Sequence, residues 1–297
     1  MNFFNYSVVA MLLLAATSCS KDFENSVVTP QASAPVTVRV DGFTQSLEDF
    51  SGGSHRAASS VASYANVKAI TLAFYDVNGV EQCKMEQLRD DNTTYTTFGE
   101  FSCNLPIGSY TLVAIARGLM SNDVFTLNSP VEAVYGSLTR ETFAGTKAVV
   151  VSSTSPQNQN ILLNRICAKL QIEATDVLPA NVVRLRTTYE QGSKTFSPTT
   201  GFATDNNGFS IINSPGVAAG NKVTIANYAF LTDNTQTMDI TLETLDADDN
   251  VVFSQVVHDV PFKRNRVTKL RGALFSASVA PAIQLETSWE DEEVVNF

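Results

Sequence analysis

The sequence predicts an all-β protein, on three observations. Apolar residues alternate with polar ones along many short segments, as in Val36, Val38 and Val40 around Thr37 and Arg39, or Met238, Ile240, Leu242 and Thr244. A period of two marks a half-buried strand. Turn-forming clusters, among them Asn78-Gly79, Asp205-Asn206-Asn207-Gly208 and Asp246-Ala247-Asp248-Asp249-Asn250, punctuate those segments at sandwich spacing. No stretch of helical length carries apolar residues at a helical period. With 297 residues, 44% of them apolar, the expectation is two β-sandwich domains with a core each.

The N-terminus precedes both. Val8 to Ala16 is an apolar run too short to cross a bilayer comfortably, and the small residues Ala16, Thr17 and Ser18 lead into Cys19. This is the pattern of a secretory signal peptide over residues 1–18 that ends at a lipobox, with Cys19 as the lipidated residue of the mature chain. Only the Met1 amine supplies positive charge ahead of the run. Acyl chains bind at about 0.8 kcal/mol per buried CH₂, so several of them make a firm membrane anchor. Residues 19–34 are polar and partly acidic, and read as a lipidated tether.

A first domain is expected over 35–153. Its strands are Val36–Val40, Val67–Asp76, Gly108–Ala116 and Ala148–Ser152. Asn78-Gly79 reads as a tight hairpin turn with both central residues at positive φ. Leu119–Thr146 has weak periodicity and reads either as a short helix or as a long crossing loop. The polar segment Thr154–Asn160 is the expected boundary. A second domain over 161–297 opens with one long strand, Ile161–Ala174, apolar on both faces. Strands at Val182–Thr188, Lys222–Leu231, Met238–Thr244, Val251–Val257, Thr268–Phe275 and Ala282–Trp289 follow.

Cysteines number four. Cys83 and Cys103 flank a turn-rich centre, Arg89–Thr94. In a hairpin they face each other and form a disulfide in an oxidising compartment, provided their Cα atoms come within about 7 Å; otherwise they are two separate small buried residues. Cys167 sits in an apolar strand and reads as a buried thiol.

Chemistry is sparse. His55 lies in a Ser/Gly/Ala loop and His258 at a strand end, neither within a metalloprotease or nucleophile-elbow motif. Asp246–Asn250 starts like a calcium loop but lacks its later glycine and glutamate, so it reads as a hairpin turn. Gly216–Lys222 has the wrong glycine–lysine spacing for a phosphate loop. The basic residues Lys263, Arg264, Arg266, Lys269 and Arg271 form the one local positive patch, and read as a strand-turn-strand corner. A net charge of −10 argues against nucleic acid as a partner. The expectation is no enzyme, no metal and no cofactor. A glycan-binding surface lipoprotein is a competing class, against which stands the single Trp.

Several segments together resemble the fimbrillin-like lipoproteins of Bacteroidota, the type V pilus subunits. They are the lipobox with its tether, Leu162–Leu185, Pro261–Phe275, and the Tyr75-Asp76-Val77-Asn78-Gly79 turn followed by Leu105–Ala116. The resemblance implies two transthyretin-like β-sandwich domains and a place in surface fimbriae at the outer membrane, with other fimbrial subunits as partners and a part in cell adhesion. In that family an Arg-specific protease removes the N-terminal strand, and a strand from another subunit fills the groove. Carried onto this chain, the removable strand is Pro35–Phe43. The cut falls between Arg56 and Ala57, Arg56 being the only basic residue of the Ser51–Ser63 loop. The donor is the C-terminal segment, with Ile283, Leu285 and Trp289 on one face and Val294, Val295 and Phe297 at the end. Ile283–Trp289 also reads as the closing strand of this chain's own second domain. An anchor subunit, which keeps its lipid and its first strand, is the alternative within the family. Asp22 and Glu24 are either solvated tether residues or a surface-export signal of the kind these lipoproteins carry.

Overall fold

Strands make up the regular structure throughout the described residues, and the all-β expectation is met. The computed structural model describes residues 31–44, 61–91, 93–276 and 282–286. Packing divides the chain at Gln31/Ala32, and the account below concerns Ala32 onward.

The first seven-stranded sheet comprises β1 (Ser33–Thr44), β2 (Ala69–Asp76), β3 (Glu81–Leu88), β4 (Glu100–Pro106), β5 (Gly108–Arg117), β8 (Thr142–Val151) and β9 (Gln157–Arg165). Their order is β3-β2-β5-β8-β9-β1-β4. β8 and β9 are joined only at one end, through Phe143↔Arg165 and Ala144↔Asn164. The sheet folds over at that junction, so β3-β2-β5-β8 forms one layer and β9-β1-β4 the other. Gly145 permits the close crossing, because a Cβ there would stand 2.5 Å from the Leu162 carbonyl oxygen. Between the layers lies a core of Val36, Val38, Val40, Ile70, Leu72, Phe74, Phe101, Leu105, Leu112 and Leu163, among others.

β2 and β5 are apolar on both faces for a reason. Their other face, with Ala73, Tyr75, Val113 and Ile115, is covered by a small sheet of β6 (Phe125–Ser129), β7 (Glu132–Tyr135) and β12 (Thr195–Phe196). Phe196 and Phe230 stack at 4.2 Å in this second core, with Tyr135 6.0 Å from Phe230. The weakly periodic Leu119–Thr146 segment is therefore neither helix nor simple crossing loop. It holds the β6–β7 hairpin, whose inward residues are Phe125, Leu127, Ala133 and Tyr135.

The remaining strands build two four-stranded sheets. One contains β10 (Ala168–Val177), β14 (Lys222–Ala229), β17 (Val267–Gly272) and β18 (Ala282–Glu286), in the order β14-β10-β17-β18. The other contains β11 (Arg184–Tyr189), β13 (Phe209–Asn213), β15 (Thr235–Leu245) and β16 (Val251–Lys263), in the order β13-β11-β15-β16. Leu170, Ile172, Ile225 and Leu270 from the first meet Leu185, Tyr189, Ile240, Leu242 and Phe262 from the second in a third core. The passage from β9 to β10 falls at Ile166–Cys167, inside the stretch expected to be one strand. Two buried residues there, one of them the Cys167 thiol, let the chain change sheets without exposing apolar surface.

Two hairpin turns share one construction. Asp76 Oδ1 accepts from the backbone N–H of Asn78 and of Val80, each at 2.9 Å. Asp246 Oδ1 accepts from Asp248 and Asn250 in the same way, also at 2.9 Å. In each, only the fourth residue is left-handed: Gly79 at φ 78° and Asp249 at φ 66°. The Asn78-Gly79 turn thus corrects the expectation of two positive φ values. The aspartate cap bends the chain first and leaves a single residue to reverse it.

Candidate interface at the first strand

β1 occupies the centre of its layer. It pairs antiparallel with β4, Val38 opposite Phe101, and parallel with β9, Val38 opposite Gln159. Its inward side chains Ala34, Val36, Val38, Val40 and Phe43 are all nearly inaccessible. A bulge between Val40 and Gly42 shifts the alternation by one residue, which is why Phe43 and not residue 42 continues the apolar face. Burying three valines and a phenylalanine is worth about 6–12 kcal/mol gross. The outward face is polar: Thr37 meets Ser102 at 3.2 Å and Arg39 meets Glu100 at 3.4 Å. Among the described residues, β4 is the terminal strand of the sheet and β1 is its only ladder partner. Withdrawal of β1 would therefore break the ladders of both neighbours and open the core between them.

The chain re-enters the described structure at Val61, and an arginine fixes it there. Arg89 donates to four carbonyls, those of Val67 (2.5 Å), Val61 (2.8 Å), Tyr64 (2.9 Å) and Ala62 (3.0 Å), and lies 4.3 Å over the Phe98 ring. Tyr64 continues the anchorage inward. Its hydroxyl donates to Glu141 Oε1 at 2.8 Å and accepts from Arg165 at 3.0 Å. Arg165 also donates to Glu141 at 2.8 Å and to Asn265 Oδ1 at 2.9 Å, and lies 4.8 Å over Phe143. Burial, reinforced by the Glu141 charge, drives the Tyr64 hydroxyl far above the usual phenol range. The polar bonds that pin the stem after the 45–60 connection thus come from outside β1, which adds the Phe43–Tyr64 ring contact at 5.5 Å.

Of the residues singled out from sequence, Cys83 and Cys103 are brought together, though not by a hairpin. β3 pairs with β2 and β4 with β1, and the two cysteines meet where the ends of the folded sheet approach. Both are free thiols in the structure. Ile283 and Leu285 lie in β18, which pairs antiparallel with β17 of the same chain. Cys19, Arg56, Ala57, Trp289, Val294, Val295 and Phe297 lie outside the described residues, as do the signal peptide and most of the tether. His258 is exposed in β16 and its Nδ1 is 2.6 Å from Asp239 Oδ2, a bulge contact. The basic corner is a turn at Arg264–Asn265 between β16 and β17. With Lys263 and Arg266 it lines a cleft of about 500 Å³. There Arg264 rests 4.5 Å over Phe202 and donates to the Thr200 carbonyl at 3.2 Å. Arg89, Tyr64 and Glu141 were not legible as functional, because a lone charged or aromatic residue between strands carries no local pattern.

Comparison with known proteins places the chain. A family profile matches residues 122–296, more than half of the sequence. The chain belongs to DUF6562, a family of unknown function. No curated protein matches it. Among solved structures it is similar to a DUF1812 protein from Bacteroides thetaiotaomicron, at 13% identity and a TM-score of 0.48 over 86% of this chain and 99% of that one. It is also similar to the fimbrial anchor protein Mfa2 from Porphyromonas gingivalis, at 10% identity and 0.46 over 80% and 90%. A third is a fimbrial assembly protein from Parabacteroides distasonis, at 12% identity and 0.36 over 86% and 96%.

Proposed function

We propose that this DUF6562 protein is a structural subunit of surface fimbriae. It is lipidated at Cys19, carried to the outer face of the outer membrane, and assembled with other fimbrial subunits by strand exchange, with a part in adhesion. One observation carries the reading: an N-terminal strand forms the middle of a core layer, yet is joined to the rest through a connection that holds a single arginine. A strand so placed can be severed at Arg56 and replaced by another of like pattern, because a ladder and an apolar row are all the slot demands. The C-terminal run through Ile283, Leu285, Trp289, Val294, Val295 and Phe297 has that pattern and is the proposed donor. No catalytic role is proposed. Its domains follow the same division, an N-terminal sandwich with the exchangeable slot and a C-terminal one with the donor.

The test is mass spectrometry of sheared surface filaments. A mature N-terminus at Ala57 supports a polymerising subunit. A lipidated Cys19 retained in assembled filaments supports the anchor reading, in which β1 stays in place. Absence of the chain from filaments would sink both.

A further inference from the structure

We propose that Cys83 and Cys103 form a disulfide that ties β4 to β3 and keeps β4 seated when β1 leaves. The role in retention rests on the strand-exchange reading; the bond itself does not.

The seam between β3 and β4 has no backbone ladder, since these strands are the two ends of the folded sheet. Side chains bridge it instead. Gln87, 5% exposed, donates to the Glu100 carbonyl at 2.7 Å and accepts from the Gly99 N–H at 2.7 Å. Four residues back along β3 is Cys83, and four forward from Gly99 is Cys103. The strands therefore run antiparallel across the seam, and the second crossing point is thiol against thiol. Both cysteines are half-buried against the core. Burial, together with the neighbouring Cys83 to which it is hydrogen-bonded, pushes the Cys103 thiol up to about 12.

β4 has much to lose. Its inward residues Phe101 and Leu105 are 3% and 0% exposed and close one side of the core. Among the described residues its ladder runs to β1 alone, so once β1 is gone the Gln87 amide and the thiol contact hold its side of the seam, with the Tyr110 hydroxyl on the Pro106 carbonyl at its far end. A covalent bond at the thiol contact keeps the far wall of the slot in place for an incoming strand. Formation is a two-electron oxidation: the thiols release two protons and two electrons as the S–S bond forms, and a disulfide oxidant of the extracytoplasmic compartment takes them up and becomes two thiols. A thiol held protonated is a poor nucleophile, so the exchange is fastest before the seam closes. The closed loop runs from residue 83 to 103, long enough to shift the unfolding equilibrium roughly 200-fold.

Peptide mapping of the full mature chain without reductant, after expression in an oxidising compartment, should yield the Cys83–Cys103 cross-linked peptide. Its absence overturns the proposal. Retention is read by hydrogen exchange after an Arg-specific protease has nicked the 45–60 connection. Expected is loss of protection along β1 in all samples, with β4 amides still protected in oxidised protein. That protection should be lost in phosphine-reduced wild type and in the Cys83→Ser, Cys103→Ser variant, the reduced wild type guarding against misfolding of the variant. Equal β4 exchange in oxidised and reduced samples overturns the retention role. If β1 stays protected in every sample after nicking, strand exchange fails and the retention role fails with it, whereas the cross-linked peptide still decides the bond.

Discussion

Val38→Ala puts the β1 slot to a quantitative test. Val38 is fully inaccessible and sits at the middle of the strand, opposite Phe101 on one side and Gln159 on the other. The substitution removes two buried methyl groups and leaves the backbone ladder intact. At about 0.8 kcal/mol per carbon, plus a cavity term of similar size, the loss is about 2.5 kcal/mol. Thr37→Ala is the control on the outward face, with an expected effect of at most about 0.5 kcal/mol. Urea denaturation followed by circular dichroism measures both in the intact protein. The same energy must reappear when β1 is a separate fragment. After nicking in the 45–60 connection, binding of a labelled β1 peptide should weaken roughly 60-fold for Val38→Ala, since each 1.4 kcal/mol is a factor of ten. If Val38→Ala and Thr37→Ala behave alike, or the wild-type and Val38→Ala peptides bind the nicked protein equally, β1 is not held by its apolar row and the slot argument falls.

Three further outcomes follow from named contacts. Asp123 receives two 2.7 Å bonds from Arg140 and one from the Met120 N–H, which outweigh its burial and hold its carboxyl below the ordinary range. A depressed carboxyl contributes stability above its unfolded pKa of about 3.9 and loses it as pH falls through the folded value. Asp123→Asn should therefore cost about 3 kcal/mol at pH 7, and the gap to wild type should shrink below about pH 4; a constant gap across that range in paired urea titrations would refute the assignment. Arg89→Ala removes four carbonyl bonds to residues 61–67. It should speed proteolysis near Val61 and lower stability by about 2–3 kcal/mol, with the new cleavage sites read by peptide mapping. Gly145→Ala drives a methyl into the Leu162 carbonyl and should lower the melting temperature by several degrees, whereas Gly118→Ala, whose Cβ would meet nothing nearer than 3.5 Å, serves as a matched comparison.

What could be read in advance was what is local. Alternation, or in β2 and β5 a run of β-forming residues, marks a strand wherever its neighbours turn out to be, so β1, β2, β5, β14, β15 and β16 were visible from their own residues. Pairing is non-local, and there the reading failed. The Arg89–Thr94 cluster looks like a hairpin turn, but β3 and β4 carry the same alternation whether they join each other or end in separate layers. The division of Ile161–Ala174 at Ile166–Cys167 left no mark either, because apolar residues run through the junction and no turn residue intervenes. Leu119–Thr146 was obscure because its strands are short and face a small aromatic core supplied by Phe196 and Phe230, far along the chain. The strand-exchange proposal came from resemblance. The devices that frame β1, Gln87 across the seam and Arg89 on the stem, come from single side chains whose partners are backbone groups.

The parallel pairing of β1 with β9 has a consequence for how the molecule is made. Val36 lies opposite Gln157, so the parallel side of β1 must wait for more than a hundred residues before its partner exists, whereas its antiparallel partner β4 is made sooner. Closing a loop of that length costs roughly 4 kcal/mol in its length-dependent part, and contacts of such separation form late. Until β9 is made, the ladder of β1 can form on its β4 side alone. Pairing that side with β9 ends folding; under the proposed strand exchange, a neighbour's strand takes the place that β1 holds.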